Sequence, residues 1–290
     1  MAERGTAGWM ATALWVAALL IMVTAAGWQR VTGPSHPRRG RVVVADRTVT
    51  WRLPRSGTSG EPLLVAVPAP DGIVGTVHYR RFPLDEPFRD IAMTREGDAL
   101  AGLLPSQAPA GKLEYFLTLQ GRSGTVRIPE GEAVVMRFKG EVPLGALVPH
   151  VTVMFFSMLL GVRAALAALF GRPEARRYAW VTVVGITLGG LLLGPIVQKA
   201  AFGAYWTGWP LGTDLTDDKT AVMWLAWVVA VVVLARRKSA ADLIPRATAI
   251  LAGVVMVAMY LVPHSLRGSQ LDRGRPQTGC AATDSITAGR

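Results

Sequence analysis

The chain has 290 residues, 51% of them hydrophobic, and its mean hydropathy of +0.33 is high for a soluble protein. The apolar residues form runs of roughly 20, the length of helix that crosses a bilayer. The formal net charge of +11 suggests nucleic-acid binding, but no basic module interleaved with aromatic residues accompanies it, so we expect no nucleic-acid partner. The single cysteine, Cys280, excludes an intrachain disulfide framework and a thiolate metal site.

The first apolar run covers residues 8–27, with Trp9 and Trp28 at its ends. A cleaved signal peptide is one interpretation, because small residues near Ala25 suit a peptidase. The run is long for a signal peptide, however, and the charges before it carry no clear positive excess. A tryptophan at each end is typical of a helix anchored at both membrane interfaces. We therefore favour a retained N-terminal transmembrane anchor over residues 1–28.

Residues 29–141 have a different character, with short runs rich in Val, Thr, Tyr and Phe between clusters of Gly, Pro and Ser. Examples are RVVVADRTVTWRL at 41–53 and GKLEYFLTLQ at 111–120. About seven short strands in about 100 residues predict a β-sandwich of immunoglobulin or fibronectin III type. The region has no paired-carboxylate, Ser-His-Asp or metal-ligand spacing. His36 and His78 are expected to be ordinary surface or half-buried residues.

Four further apolar runs follow within residues 142–265, and the loops between them carry basic residues. The runs cover 144–170, 178–200, 220–235 and 247–262, and the basic loop residues are Arg172, Arg176, Arg177, Arg236, Arg237, Lys238 and Arg246. Short loops rich in Lys and Arg face the cytoplasm. The N-terminus is then inside, and the β-sandwich, the loop 201–219 and the C-terminus are outside. The polar tail 266–290 is expected to be largely disordered.

These observations predict a membrane α-helical bundle of five transmembrane helices with an inserted extracytoplasmic all-β immunoglobulin- or fibronectin III-like sandwich. The high ratio of Arg to Lys and the abundance of Ala, Gly and Val are typical of a GC-rich bacterial genome. We therefore expect a multi-pass protein of the bacterial inner (cytoplasmic) membrane.

The predicted orientation brings polar and aromatic residues of four segments to the outer membrane interface. Polar groups at this level stay in water, pair with one another or mark a site. The candidates for binding a ligand or haem are His150, His264, Trp206, Trp209 and Asp214. The candidates for an interaction surface in the same loop are Tyr205, Asp217, Asp218 and Lys219. Plainer roles stay open: an aromatic belt for the tryptophans, a helix N-cap for an aspartate, and snorkelling for Lys199 and Lys219.

Within the spans, the sequence suggests helix packing rather than transport. Small residues at GxxxG spacing allow helices to approach closely, and the candidate interface residues of this kind are Gly185, Gly189, Gly190 and Gly194. Trp224 and Trp227, on one face of the fourth span, are also candidate interface residues. Arg163 lies near enough to the cytoplasmic face to snorkel. The Gly194-Pro195 pair can break the third helix. A single break, with no chain of buried carboxylates, disfavours a transporter.

The segment FGAYWTGWPLGTDLT resembles the tryptophan-rich periplasmic motif of haem-handling proteins in cytochrome c biogenesis. The matching positions are Gly203, Trp206, Trp209, Asp214, Leu215 and Thr216, and the resemblance implies haem ligation by the flanking histidines, His150 and His264. Four residues separate Trp209 from Asp214, whereas the two are adjacent in that family, which also has no N-terminal β-sandwich. The whole layout resembles uncharacterised bacterial polytopic membrane proteins with an exported immunoglobulin-like domain, and this resemblance implies no activity.

Two functions are consistent with the sequence. The first is a non-catalytic accessory or assembly subunit of a larger membrane complex, for example a respiratory or photosynthetic one, whose partners are the lipid bilayer and other membrane subunits. It predicts no enzymatic activity, no metal and no cofactor. The alternative is a haem- or small-ligand-handling protein that uses the outer-face histidine, tryptophan and aspartate residues.

Overall fold

The computed structural model describes residues 2–122, 124–236 and 242–263. These residues form two compact units. The β unit comprises Arg38–Gly140, and the helical unit comprises the helix before it and the helices that follow from Glu141 onward. The predicted combination of five apolar helices with a β-rich insert is confirmed at this level.

The helical unit has five helices long and apolar enough to cross a membrane, which fits a membrane protein. These candidate spans are Gly8–Thr32, Leu144–Leu169, Glu174–Phe202, Leu215–Arg236 and Leu243–Leu261. The first belongs to helix α1 (Ala2–Thr32), and the second, fourth and fifth are helices α2 (Leu144–Leu169), α5 (Leu215–Arg236) and α6 (Leu243–Leu261). The fourth begins five residues before the predicted start at 220, because polar residues of the loop form its first turn.

The third span is not a uniform α-helix. It consists of α3 (Glu174–Ile186), a π-helical segment (Thr187–Leu193) and α4 (Gly194–Phe202). Pro195 has no N–H to donate, and its ring clashes with the backbone carbonyl one turn earlier. A regular α-helix is therefore disrupted at this point. A wider π turn accommodates the disruption without ending the helix.

The interior of the helical unit contains many small residues and a few polar ones beside larger apolar side chains, and large apolar residues cover its outside. The buried residues of α2 are Ser157, Met158, Gly161, Val162, Arg163, Ala164, Ala167 and Ala168. Exposed ones on the helices include Phe156, Val184, Leu225, Leu251 and Val254. Small residues between helices and apolar residues outside them are the pattern of helices packed within lipid.

In the described part of the β unit there are eleven strands, more than the roughly seven expected, and they form three sheets. A two-stranded sheet pairs β1 (Arg38–Val44) with β2 (Arg47–Leu53). A three-stranded sheet has the order β4-β8-β7, with β4 (Leu63–Pro68), β7 (Thr94–Glu96) and β8 (Ala99–Leu104). A six-stranded sheet has the order β3-β11-β9-β5-β6, with β10 also on β9; its strands are β3 (Ser56–Thr58), β5 (Val74–Arg81), β6 (Arg89–Ala92), β9 (Lys112–Gly121), β10 (Gly124–Ile128) and β11 (Val134–Lys139).

The run at 41–53, read as one alternating segment, is a hairpin of two strands. Ala45 and Asp46 both adopt left-handed backbone conformations, with φ of 49° and 60°. Two such residues between paired strands are the geometry of a tight type I′ hairpin turn. The core of the β unit gathers inward-facing residues of all three sheets, among them Trp51, Val65 and Leu117.

Candidate functional site

The carboxylate of Asp217 organises the loop between the third and fourth spans. Its Oδ2 accepts hydrogen bonds from the side-chain amide of Gln198 (2.9 Å), the backbone N–H of Thr207 (2.7 Å) and the backbone N–H of Gly208 (2.9 Å). Gln198 belongs to α4 and Asp217 to the first turn of α5. One buried carboxylate thus joins both helices to the middle of the loop.

The two neighbouring aspartates hold the rest of the loop. Asp214 Oδ1 accepts from the backbone N–H of Thr216 at 2.8 Å, directly before α5, and the N–H of Asp214 donates to the carbonyl of Thr207 at 2.9 Å. Asp218 Oδ1 accepts from the backbone N–H of Trp209 at 2.7 Å. Carboxylates near a helix N-terminus also complement its dipole. All three aspartates therefore act as acceptors for the chain's own backbone.

Lys219 joins the start of α5 to the end of α6. Its Nζ donates to the carbonyl of Val262 at 2.7 Å, and the residue is only 3% exposed. Lys219, which we expected to snorkel toward the interface, is thus buried and bonded to the carbonyl that follows α6. Lys199 is exposed, and its Nζ donates to the carbonyl of Gly203 at 2.8 Å, one turn further along the chain.

The loop held in this way presents a large apolar tip. Trp209 is 78% exposed and Leu211 is 77% exposed, and Tyr205 nearby is also exposed. Trp206 is half-buried, and its indole Nε1 donates to the carbonyl of Trp209 at 3.2 Å. The two tryptophans predicted as ligand candidates therefore differ: Trp206 supports the loop, and Trp209 projects from it.

His150 contacts the π-helical segment. Its Nδ1 lies 2.8 Å from the carbonyl oxygen of Gly189, and its ring edge lies beside Gly194. A carbonyl accepts only, so Nδ1 carries the proton, and in a neutral imidazole Nε2 then has the lone pair. On the fourth span, Trp224 Nε1 donates to the hydroxyl of Thr187 at 2.9 Å. The π-helical segment is thus braced from α2 and from α5.

The glycine stripe and Trp227 pack inside the helical unit rather than on an outer interface. Trp227, expected to pack against a partner helix or lipid, is 0% exposed and packs within the helical unit of its own chain. A Cβ placed on Gly185 would collide with the Ser157 side chain, and one on Gly190 would lie 2.6 Å from Thr220 Cγ2. These glycines allow the third span to approach α2 and α5 of the same chain.

The structure unites the predicted site residues only in part. Asp214, Asp217 and Asp218 share one hydrogen-bonded loop, and His150 belongs to the separate π-helical contact. His264, the second histidine of the haem hypothesis, lies outside the described residues. Over residues 2–122, 124–236 and 242–263, no group of three His, Cys, Asp or Glu residues is placed to hold a metal ion.

Arg163 is enclosed within the helical unit. The residue is 1% exposed, and its guanidinium carbon lies 5.0 Å from the ring centre of Tyr178 and 5.5 Å from that of Trp15. Its Nε and Nη1 have no hydrogen-bond partner among the described residues. The snorkelling expectation is therefore wrong. The cation is held against aromatic faces of α1 and α3, an arrangement that favours Arg in a desolvated place.

In the β unit, His78 has more partners than its strand position suggested. Its Nδ1 lies 2.6 Å from Asp90 Oδ1, its Nε2 lies 2.8 Å from Thr118 Oγ1, and its ring stacks on Phe116 at 4.6 Å. This acid–imidazole–hydroxyl series has the order of a nucleophilic triad. However, His78 lies on a central strand, in register with Asp90 on one neighbouring strand and with Phe116 on the other. Backbone N–H groups in such ladders are bonded to the next strand, so they do not form an oxyanion hole. The arrangement therefore serves as a cross-strand cluster that ties β6 and β9 to β5.

A comparison with protein-family models and with curated proteins finds no match to this chain. Function is therefore inferred from the chain's own residues. The informative features are the aspartate-held loop with its apolar tip, the braced π-helical segment and the charge distribution of the β unit.

Proposed function

We propose that the chain is a non-catalytic accessory or assembly subunit of a larger bacterial membrane complex, for example a respiratory or photosynthetic one. It docks through its helices and through an exported β unit. One observation supports this most directly: Asp217 accepts three hydrogen bonds that hold the 201–219 loop with Trp209 and Leu211 outward.

The chemistry of the loop favours docking over catalysis. One carboxylate oxygen of each of the three aspartates accepts from the chain's own backbone, at the N–H groups of Thr207, Gly208, Trp209 and Thr216. The exposed groups are an indole and an isobutyl side chain, which suit a partner's apolar surface. A loop that is already held in one conformation loses little conformational entropy on binding.

The test is co-purification from native membranes at low detergent concentration. The wild-type chain is expected to co-purify with a defined set of partner subunits. The yield of these partners is expected to fall at least tenfold in Trp209→Ala with Leu211→Ala. Trp9→Ala is the control, because it removes an exposed tryptophan that lies outside the 201–219 loop. Retention of every partner by the double variant, or equal loss with Trp9→Ala, would contradict docking through the tip.

A second function is supported by His150. Because Nδ1 donates to Gly189, Nε2 has its lone pair available, and histidines that ligate metals are commonly fixed in this way by a backbone carbonyl. This arrangement supports the alternative of a haem- or small-ligand-handling protein. The Nδ1 contact equally suits a histidine that only braces the π-helical segment.

An absorption spectrum separates these two roles of His150. Haem handling predicts a Soret band after haem loading that shifts or disappears in His150→Ala and in His264→Ala. Gln198→Ala is a suitable control, since it disturbs the aspartate-held loop and removes no imidazole. A wild-type protein that shows no Soret band after loading excludes haem handling.

We place the chain in the bacterial inner membrane, with the N-terminus in the cytoplasm and the β unit and C-terminus outside it. The Arg-rich loops after the second and fourth spans support this orientation. The single native cysteine, Cys280, provides the probe. A membrane-impermeant maleimide should label it in intact spheroplasts, whereas Cys280→Ser carrying Arg176→Cys should be labelled only after permeabilisation. The reverse labelling pattern would show the opposite orientation and contradict this proposal.

The β unit is proposed to be a sandwich of immunoglobulin or fibronectin III type. The strand orders β4-β8-β7 and β5-β9-β11 support this, because they correspond to the B-E-D and C-F-G sheets of such domains. An experimental structure in which these two sheets do not pack face to face would contradict the assignment.

A further inference from the structure

The net positive charge of the β unit is concentrated at its beginning. Between Arg38 and Arg55 there are six arginines and one aspartate, a net charge of +5. Residues 56–140 carry nine basic and ten acidic side chains, a net charge of −1. The β1–β2 hairpin therefore carries the positive charge of the unit, and it begins six residues after the last residue of α1, Thr32.

A pocket of about 250 Å³ lies on this hairpin. Its lining residues are Arg38, Arg39, Arg41, Val42, Trp51, Arg127, Pro129 and Glu130. Successive residues of β1 point to opposite faces, so a pocket that includes Arg38, Arg39 and Arg41 lies along the strand's edge. β1 pairs with β2 alone among the described strands, and its other edge is available to the pocket. Four guanidinium groups thus converge on one concave edge, with Glu130 as the single acid.

These four cations are not neutralised within the described part of the chain. None of them forms an ion pair with a carboxylate; Arg38 donates to the carbonyl of Glu132 at 2.8 Å, and the Arg127 guanidinium lies 4.2 Å from the Phe116 ring centre. Arg39 also stands directly opposite Arg52 in the β1–β2 register. Like charges in directly opposed positions destabilise a sheet, so the arrangement has a cost that an anion would relieve.

The electrostatics around the pocket point the same way. The pKa of Arg55 is lowered by burial and further by the nearby Arg38, a sign that positive groups crowd this end of the unit. The pocket also has a built apolar wall, since Trp51 stands opposite Gly40 in the register and its indole occupies the space that a Cβ on Gly40 would need. A glycine at this position therefore allows the aromatic ring to lie against the strand.

We propose that this pocket binds a phosphate group, carried either by an anionic lipid headgroup or by a free phosphate compound. Planar guanidinium groups match phosphate oxygens in bidentate pairs, and several of them around one pocket are the usual protein device for this anion. At about 30 Å³ per water molecule, the pocket has room for a phosphate group and a few waters. The short connection between α1 and β1 favours the lipid source, because it tethers the hairpin to a candidate span.

The test uses the full-length protein in a neutral detergent, with two soluble probes. Isothermal titration with inorganic pyrophosphate measures the free-phosphate arm, and dihexanoyl phosphatidylglycerol, with dihexanoyl phosphatidylcholine as its neutral counterpart, measures the lipid arm. We expect at least one phosphate probe to bind, and Arg39→Gln with Arg41→Gln to weaken it about tenfold or more. Arg39→Lys with Arg41→Lys keeps the charge but should still weaken binding, because an ammonium group cannot make the bidentate contact of a planar guanidinium with phosphate oxygens.

Arg89→Gln with Arg122→Gln is the matched control, since it removes two exposed arginines of the same unit that do not line the pocket. Binding of the lipid probe alone assigns the headgroup as the source, binding of pyrophosphate alone assigns a free phosphate compound, and binding of both supports the shared chemistry. The proposal is overturned if neither probe binds better than phosphatidylcholine. It is equally overturned if Arg89→Gln with Arg122→Gln weakens binding as much as the pocket variant, which would indicate net charge alone.

Discussion

Replacing Asp217 by alanine tests what holds the 201–219 loop in its conformation. The substitution leaves three donors without their acceptor: the amide of Gln198 and the backbone N–H groups of Thr207 and Gly208. A buried donor left unpaired costs about 1–3 kcal/mol, so the sum has an upper bound of about 9 kcal/mol. Relaxation of the loop and entry of water reduce this, and we expect about 3 kcal/mol of lost local stability.

Hydrogen exchange is the assay, because it reports opening of the loop separately from unfolding of the bundle. A loss of about 3 kcal/mol corresponds to roughly 150-fold faster exchange of the Thr207 and Gly208 amides. The matched control is Asp218→Ala, which removes the single bond from Trp209 N–H and should accelerate exchange about tenfold at that amide. Equal effects of the two substitutions, or unchanged exchange in Asp217→Ala, would refute the role assigned to Asp217.

Three further predictions concern stability in each unit. Gly161→Ala should lower the thermal midpoint of the helical unit by an amount equivalent to about 1–3 kcal/mol, because the new Cβ meets the Met256 sulfur; a midpoint at or above the wild type would contradict this packing. Hydrogen bonds from Arg81 lower the pKa of Glu86 to about 2. The stability that this pair contributes is complete above the unfolded pKa of about 4.3 and is lost as the pH falls toward 2. Glu86→Gln should therefore reduce the difference between the unfolding midpoints at pH 7 and pH 3, and an unaltered pH profile would count against the pair. Tyr115→Phe removes a 2.7 Å buried hydrogen bond to a backbone carbonyl and should cost the β unit about 1–2 kcal/mol in chemical denaturation followed by circular dichroism, whereas an unchanged midpoint would show that this bond is not stabilising.

The five apolar helices were predictable because hydropathy is a local property of the sequence. The hairpin turn at Ala45 and Asp46 was not predictable, since an Ala-Asp pair is not a sequence signal for a left-handed turn. The π-helical segment was foreseen only as a break at Gly194-Pro195, because the widened turn depends on how His150 and the neighbouring helices contact it.

The site was predictable as a region but not as an arrangement. The sequence located the aspartates in one loop between two apolar runs. The bonds of Asp217 to residues 9, 10 and 19 positions away arise only when α4 and α5 are packed together. Arg163 shows the same limit. A charge near a helix end is expected to reach the surface, and only the positions of Trp15 and Tyr178 reveal that it is enclosed instead.

The measurement that tests the proposed function most directly is the mass of the particle that contains this chain, extracted from native membranes in lipid nanodiscs without detergent. An accessory or assembly subunit predicts a defined particle much heavier than the 31.0 kDa chain, with additional subunits in fixed ratio. Trp209→Ala with Leu211→Ala should shift the chain toward the 31.0 kDa species. Recovery of the wild-type chain only as a monomer, with no co-purifying subunit, would contradict the proposed function.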